Sequence, residues 1–118
     1  MNRFLRSLFW AACAAVTVLS LLSAEQLPPV FDWWDKAQHA LAFLALGILG
    51  LWAYPSFHAR VALGLIVYGL GIEVAQAITG WRFGDWQDWL ADVIGVVAAY
   101  FGWTFLNPAR SHGQISVP

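Results

Sequence analysis

Four apolar runs, each near the length of a bilayer crossing and separated by short polar links, leave this chain few ways to fold. Inside lipid there is no water to satisfy backbone N–H and C=O groups, so a crossing segment must bond to itself as a helix or close into a barrel. Barrel strands are about 10 residues long and alternate in polarity; the runs here, at 7–24, 37–54, 61–79 and 88–106, are longer and continuous. With 60% hydrophobic and 11% charged residues, 118 residues cannot hide their apolar surface in a soluble core. The expected class is therefore all-α, an integral membrane bundle of four transmembrane helices.

The first run follows Arg3 and Arg6 and ends at Leu22-Ser23-Ala24. Those are the parts of a secretory signal, but Leu22 is poorly placed for a cut that needs small residues, which favours a retained helix. Residues 1–24 are thus a first transmembrane helix or an uncleaved signal-like anchor. Residues 25–106 form a core around an external polar pocket, and 107–118 a mobile cytoplasmic tail. Cys13 lies within the first run and is alone, so no intramolecular disulfide can form and it is read as a small apolar filler. Segment 25–35 reads as a polar link in which Pro28 and Pro29 stop the first helix and Trp33 and Trp34 suit the headgroup zone.

Orientation follows the placement of Lys and Arg in short loops. Arg3, Arg6, Arg60 and Arg110 fall on one side, Lys36 and Arg82 on the other, so both termini are expected in the cytoplasm. A net charge of -1 with no charged tail gives no footprint for a nucleic acid. Membrane lipids are the expected neighbours, and nothing in the pattern sets an oligomeric state.

Ionisable groups in membrane helices are costly and by default mark a functional site. On the second helix Asp35 and His39 are four apart and Lys36 and His39 three apart; on the third Glu73 and Gln76 are three apart; on the fourth Asp88 and Asp92 are four apart. Such spacings put each set on one helical face. Arg82 and Asp85 stand in the turn between the last two helices. Small residues spaced by four, Gly71, Ala75 and Thr79 and again Ala91, Gly95 and Ala99, predict that helices three and four are close antiparallel neighbours.

Within this set Glu73 and His39 are the catalytic candidates, as general bases, with Asp35 orienting the imidazole. Asp35, Lys36, Gln76, Arg82, Asp88 and Asp92 are the ligand-binding candidates. Arg82 and Lys36 suit a phosphate or carboxylate, and Gln76 would bond the neighbours of Glu73. Asp88 and Asp92 either cap the fourth helix or join His39 and Glu73 around a divalent cation. No contiguous metal motif accompanies them, so no cofactor is assigned. The plainer readings are an ion pair between Glu73 and Arg82, a cap at Asp88, and an interfacial anchor at Arg82.

The series Asp35-Lys36-x-x-His39, Glu73-x-x-Gln76, Arg82 and Asp88-x-x-x-Asp92-x-x-Gly95 resembles the signature of the VanZ-like family over roughly residues 35–102. The resemblance implies a small multi-helix protein of the bacterial inner membrane; the family is named for a member linked to resistance to the glycopeptide teicoplanin. Two departures stand out: Asp92 where the family often has Asn, and Thr79-Gly80-Trp81 where it often has Pro before the Arg. Three functions remain open. The first is binding of an amphiphilic anionic ligand, an envelope lipid precursor or a lipoglycopeptide, with a role in glycopeptide resistance. The second is an enzyme acting on a lipid headgroup by acid/base or metal-assisted chemistry, and the third a purely structural polar network in an assembly partner.

Overall fold

A computed structural model describes residues 2–22, 32–80 and 86–108, with the side chains of all of these except 32–35. Four helices run in order: α1 (Asn2–Leu21), α2 (Asp32–Ala53), α3 (His58–Thr79) and α4 (Trp86–Leu106). All four are long and apolar enough to cross a membrane, and the described residues contain no strand. The expected all-α four-helix membrane bundle is what forms.

Helix ends follow local chemistry. Pro55 opens a single 3-10 turn, Pro55–Phe57, and α3 starts directly after it at His58, three residues earlier than the apolar pattern predicts. Gly80 closes α3 in the left-handed region at φ 80, a conformation glycine adopts without Cβ strain. The Asn107 side-chain amide donates to the Trp103 carbonyl at 3.1 Å and ends α4 ahead of Pro108. The second helix differs most from expectation: it begins at Asp32, so residues 32–35, expected in a link, are helical. No proline follows Pro29 in that stretch, and acidic residues suit a helix start.

Helices α3 and α4 are neighbours, as expected, but the closest pairing is another one. The Ala91, Gly95, Ala99 stripe was expected against α3, but it packs on α2. A Cβ at Gly95 would run into the Ala40 carbonyl oxygen and the Leu44 amide nitrogen, and one at Gly47 would stand 2.6 Å from the Ala99 Cβ. Gly71, in the other expected stripe, is open, with nothing within 4 Å of a Cβ position. The face that α3 buries instead is Leu65, Gly69, Ile72, Glu73 and Gln76, an i, i+4, i+7, i+8, i+11 series. A stripe of small residues marks a close approach but not its partner, and α4 spends its closest approach on the central helix α2.

Helix α1 leans on α2 and α3 and contributes Phe9 and Cys13 to the core, beside Phe43, Leu46, Leu65 and Val96. The Tyr68 hydroxyl donates to the Cys13 carbonyl at 2.7 Å and lies 2.5 Å from the Thr17 hydroxyl, tying α1 to α3 at mid-height. Outward-facing residues such as Ile78, Phe101 and Phe105 are large, apolar and exposed, as lipid-facing positions should be.

Candidate functional site

The start of α2, the end of α3 and the start of α4 meet at one end of the bundle, and the polar residues gather there. His39 is seven residues into α2, Asp92 six into α4, and Glu73 six from the end of α3. At about 1.5 Å per residue, all three lie about 9–11 Å in from that end. The common depth expected from the sequence is observed.

Asp92 stands at the centre, completely buried at 0% exposure. Its Oδ1 is 2.9 Å from His39 Nδ1. Its Oδ2 has no hydrogen-bond partner and faces Gly69, where a Cβ would come within 3.0 Å of it and within 3.3 Å of the Phe43 ring. Gly69 is therefore what lets α3 approach the carboxylate closely. The imidazole of His39 faces a second carboxylate on its other side: Nε2 is 3.8 Å from Asp88 Oδ2. Lys36 Nζ, one helical turn before His39, is 3.4 Å from Asp88 Oδ1, with its side chain one-third exposed. Lys36, His39, Asp88 and Asp92 thus form one chain of contacts from the rim inward between α2 and α4.

Glu73 enters from α3. It is buried, and a carboxylate oxygen of Glu73, an imidazole nitrogen of His39 and a carboxylate oxygen of Asp92 all lie within 4.8 Å of one another. Two donors bound to one transition-metal ion are at most about 4.2 Å apart, twice a bond of about 2.1 Å. Three donors in a tetrahedral site stand closer still, about 3.4 Å from one another, so these side chains need to close by as much as about 1.4 Å to share an ion. With Nδ1 the nitrogen already against Asp92, Nε2 faces the Asp88 carboxylate, the type of outer partner that orients metal-binding histidines. A site of one imidazole and two carboxylates suits a divalent cation of the Zn²⁺ or Mn²⁺ type.

The other expected site residues divide clearly. Gln76 is buried, but its amide donates at 2.8 Å to the Ser20 carbonyl of α1 rather than to a neighbour of Glu73. Its Oε1 has no hydrogen-bond partner. Asp92 is one partner of the imidazole; the Asp35 side chain, which the sequence names for that role, lies outside the described residues, as do Arg82 and Asp85. Sequence reasoning missed Gly69 and Trp89, whose indole N–H donates to the Ile66 carbonyl at 3.0 Å and fastens α4 to α3 just below the acids. Gly69 was findable, because it precedes Glu73 by four residues and so shares its face.

Comparison with curated proteins and with solved structures gives no match. The family comparison does: the VanZ/LLP1 description matches residues 3–107, a span that takes in all four helices and the whole polar cluster. This chain is a membrane protein of the VanZ/LLP1 family.

Proposed function

We propose that the protein is a membrane enzyme that holds a divalent cation on His39, Glu73 and Asp92 and hydrolyses a phosphoester or phosphoanhydride bond in the headgroup of an amphiphilic envelope lipid. The observation that carries this reading is the unused Oδ2 of a fully buried Asp92, beside two further donors within 4.8 Å. A buried carboxylate oxygen without a partner is costly, and an ion is the partner this donor set fits. The depth of about 10 Å supports a substrate anchored in the membrane, whose phosphate lies near the headgroup boundary. Lys36, at the rim, is the cation for that phosphate.

A divalent cation in this place supplies Lewis acidity to a phosphoryl oxygen and activates water. In the net reaction a water oxygen bonds to phosphorus, the bond from phosphorus to the leaving oxygen breaks, and a proton ends on that oxygen. His39 and Glu73 would then act as ligands rather than as bases, and Asp88, 3.8 Å from Nε2, would have to close on the imidazole to hold its tautomer. The test uses purified protein stripped with chelator, then supplied with Mn²⁺, Zn²⁺ or Mg²⁺ and offered an isoprenoid diphosphate and a diacylglycerol phosphate. Cation-dependent phosphate release that Asp92→Asn abolishes is the expected result. No cation-induced thermal shift and no release from either lipid would overturn the reading.

One observation favours binding without turnover. Asp92 is sealed at 0% exposure, and hydrolysis needs water at the ion. In that case the same pocket retains an envelope lipid precursor or a lipoglycopeptide, the route to a part in glycopeptide resistance. Saturable binding of the lipid that depends on Lys36, with no phosphate released, distinguishes it.

A further inference from the structure

At the end of the bundle opposite the acids, α1 and α3 part to leave a groove of about 410 Å³. Phe9 on α1 and Gly64, Leu65 and Tyr68 on α3 line it, and Tyr54 and Arg60 stand at its mouth. The hydroxyl of Tyr68, bonded to Cys13 and Thr17, closes its inner end. From Arg60 to Tyr68 is eight residues of α3, a length of about 12 Å, most of the roughly 15 Å depth of one bilayer leaflet.

The mouth carries positive charge held in place. The Arg60 guanidinium lies 5.3 Å over the Phe57 ring, and that of Arg6 lies 4.7 Å over the Tyr54 ring, with Nε 3.4 Å from the Ala53 carbonyl. The Trp10 indole N–H donates to the Tyr54 hydroxyl at 2.9 Å and fixes the ring on which Arg6 stacks. Among the described residues no acid shares this end, since Asp32, Asp35, Glu73, Asp88 and Asp92 all lie toward the other. An apolar slot of leaflet depth under two arginines, with no carboxylate among the described residues to neutralise them, complements one kind of molecule.

We infer that this groove is a binding site for an anionic diacyl phospholipid, with one acyl chain between α1 and α3 and the phosphate on Arg6 and Arg60. Guanidinium forks match phosphate oxygens, and stacking on aromatic rings pre-orders them. The bound chain fills the gap between two helices that otherwise meet through Tyr68, the Phe9 cluster and the Gln76 bond to Ser20. The site is separate from the polar cluster and does not depend on the chemistry proposed there.

Native mass spectrometry of the full chain, delipidated and given equal amounts of phosphatidylglycerol and phosphatidylcholine, tests it. Phosphatidylglycerol should be retained about tenfold over phosphatidylcholine, as two arginines near an anionic headgroup imply. Gly64→Leu fills the groove without meeting any atom within 4 Å of its Cβ, and should abolish retention while leaving the helical circular dichroism intact. The pair Arg6→Gln with Arg60→Gln should erase the preference yet keep some lipid of either type. Equal retention of both lipids by the wild type overturns the inference. So does a Gly64→Leu protein that keeps the preference, or a lipid-free dimer that Gly64→Leu dissociates. Should Gly64→Leu fail to fold, the arginine pair alone decides.

Discussion

His39→Ala removes the imidazole that stands 2.9 Å from Asp92 Oδ1, and it leaves a carboxyl group at 0% exposure whose other oxygen already has no hydrogen-bond partner. Two limits set the cost. If Asp92 stays charged, a buried ion has lost its partner, which costs about 3–5 kcal/mol. If Asp92 is neutral, the loss falls to one hydrogen bond within a membrane protein, about 0.6–1.7 kcal/mol. The His39 side chain is only 11% exposed, so its removal also opens a cavity worth about 1–2 kcal/mol. Even the neutral limit therefore comes to about 1.5–3.5 kcal/mol. The assay is unfolding in mixed micelles by added dodecyl sulfate, followed by circular dichroism. In the Asp92→Asn background, where the partner is no longer a carboxylate, the same substitution should cost about 1 kcal/mol less, the difference being the coupling between the two side chains. A loss below about 0.5 kcal/mol for His39→Ala, or equal losses in the two backgrounds, would refute the bond and the buried pair with it.

Gly95→Ala drives a methyl group into the α2 backbone at Ala40 and Leu44 and should cost about 1–3 kcal/mol, whereas Gly102→Ala, with open space at its Cβ, should stay within about 0.5 kcal/mol in the same unfolding assay. Gly69→Ala places a methyl 3.0 Å from Asp92 Oδ2. It should suppress the thermal shift caused by Mn²⁺ or Zn²⁺ while lowering the melting temperature of chelated protein far less than His39→Ala does. Lys36→Gln breaks a 3.4 Å contact whose lysine is one-third exposed, so it should change stability by under about 1 kcal/mol. Its effect should appear in titrations with a phosphate-headed lipid, as about tenfold weaker binding.

The helices were legible because apolar length alone dictates them, and the site because spacings of three and four project His39, Glu73, Asp88 and Asp92 onto inward faces at one depth. What a one-dimensional pattern could not carry was partnership. Ala91, Gly95 and Ala99 announce a close approach without naming α2, and no spacing announces the grip on His39 of a carboxylate 53 positions away. The start of α2 was hidden for another reason: Trp33 and Trp34 are equally at home in a headgroup-zone link and in the first turn of a membrane helix. Trp89 was read only as an interfacial aromatic, because a side-chain bond to a mid-helix carbonyl such as that of Ile66 leaves no trace in spacing.

Because the cluster is divided among three helices, it has a history as well as a geometry. Chains are made from the N-terminus, so Lys36 and His39 are in place before Glu73 emerges, and Asp88 and Asp92 come last. A lone carboxylate in a newly inserted helix costs about 2.5–3.5 kcal/mol at the membrane centre, less toward the ends. Helix α4 brings two acids within its first two turns, and both find their counterparts on α2, the helix it packs against most closely. The contacts that shape the cluster thus also give the last helix a waiting place to dock, so biogenesis and the proposed chemistry draw on the same side chains. Substitution of His39 should then be felt on the ribosome-bound chain, as incomplete insertion of α4, before any ligand is met.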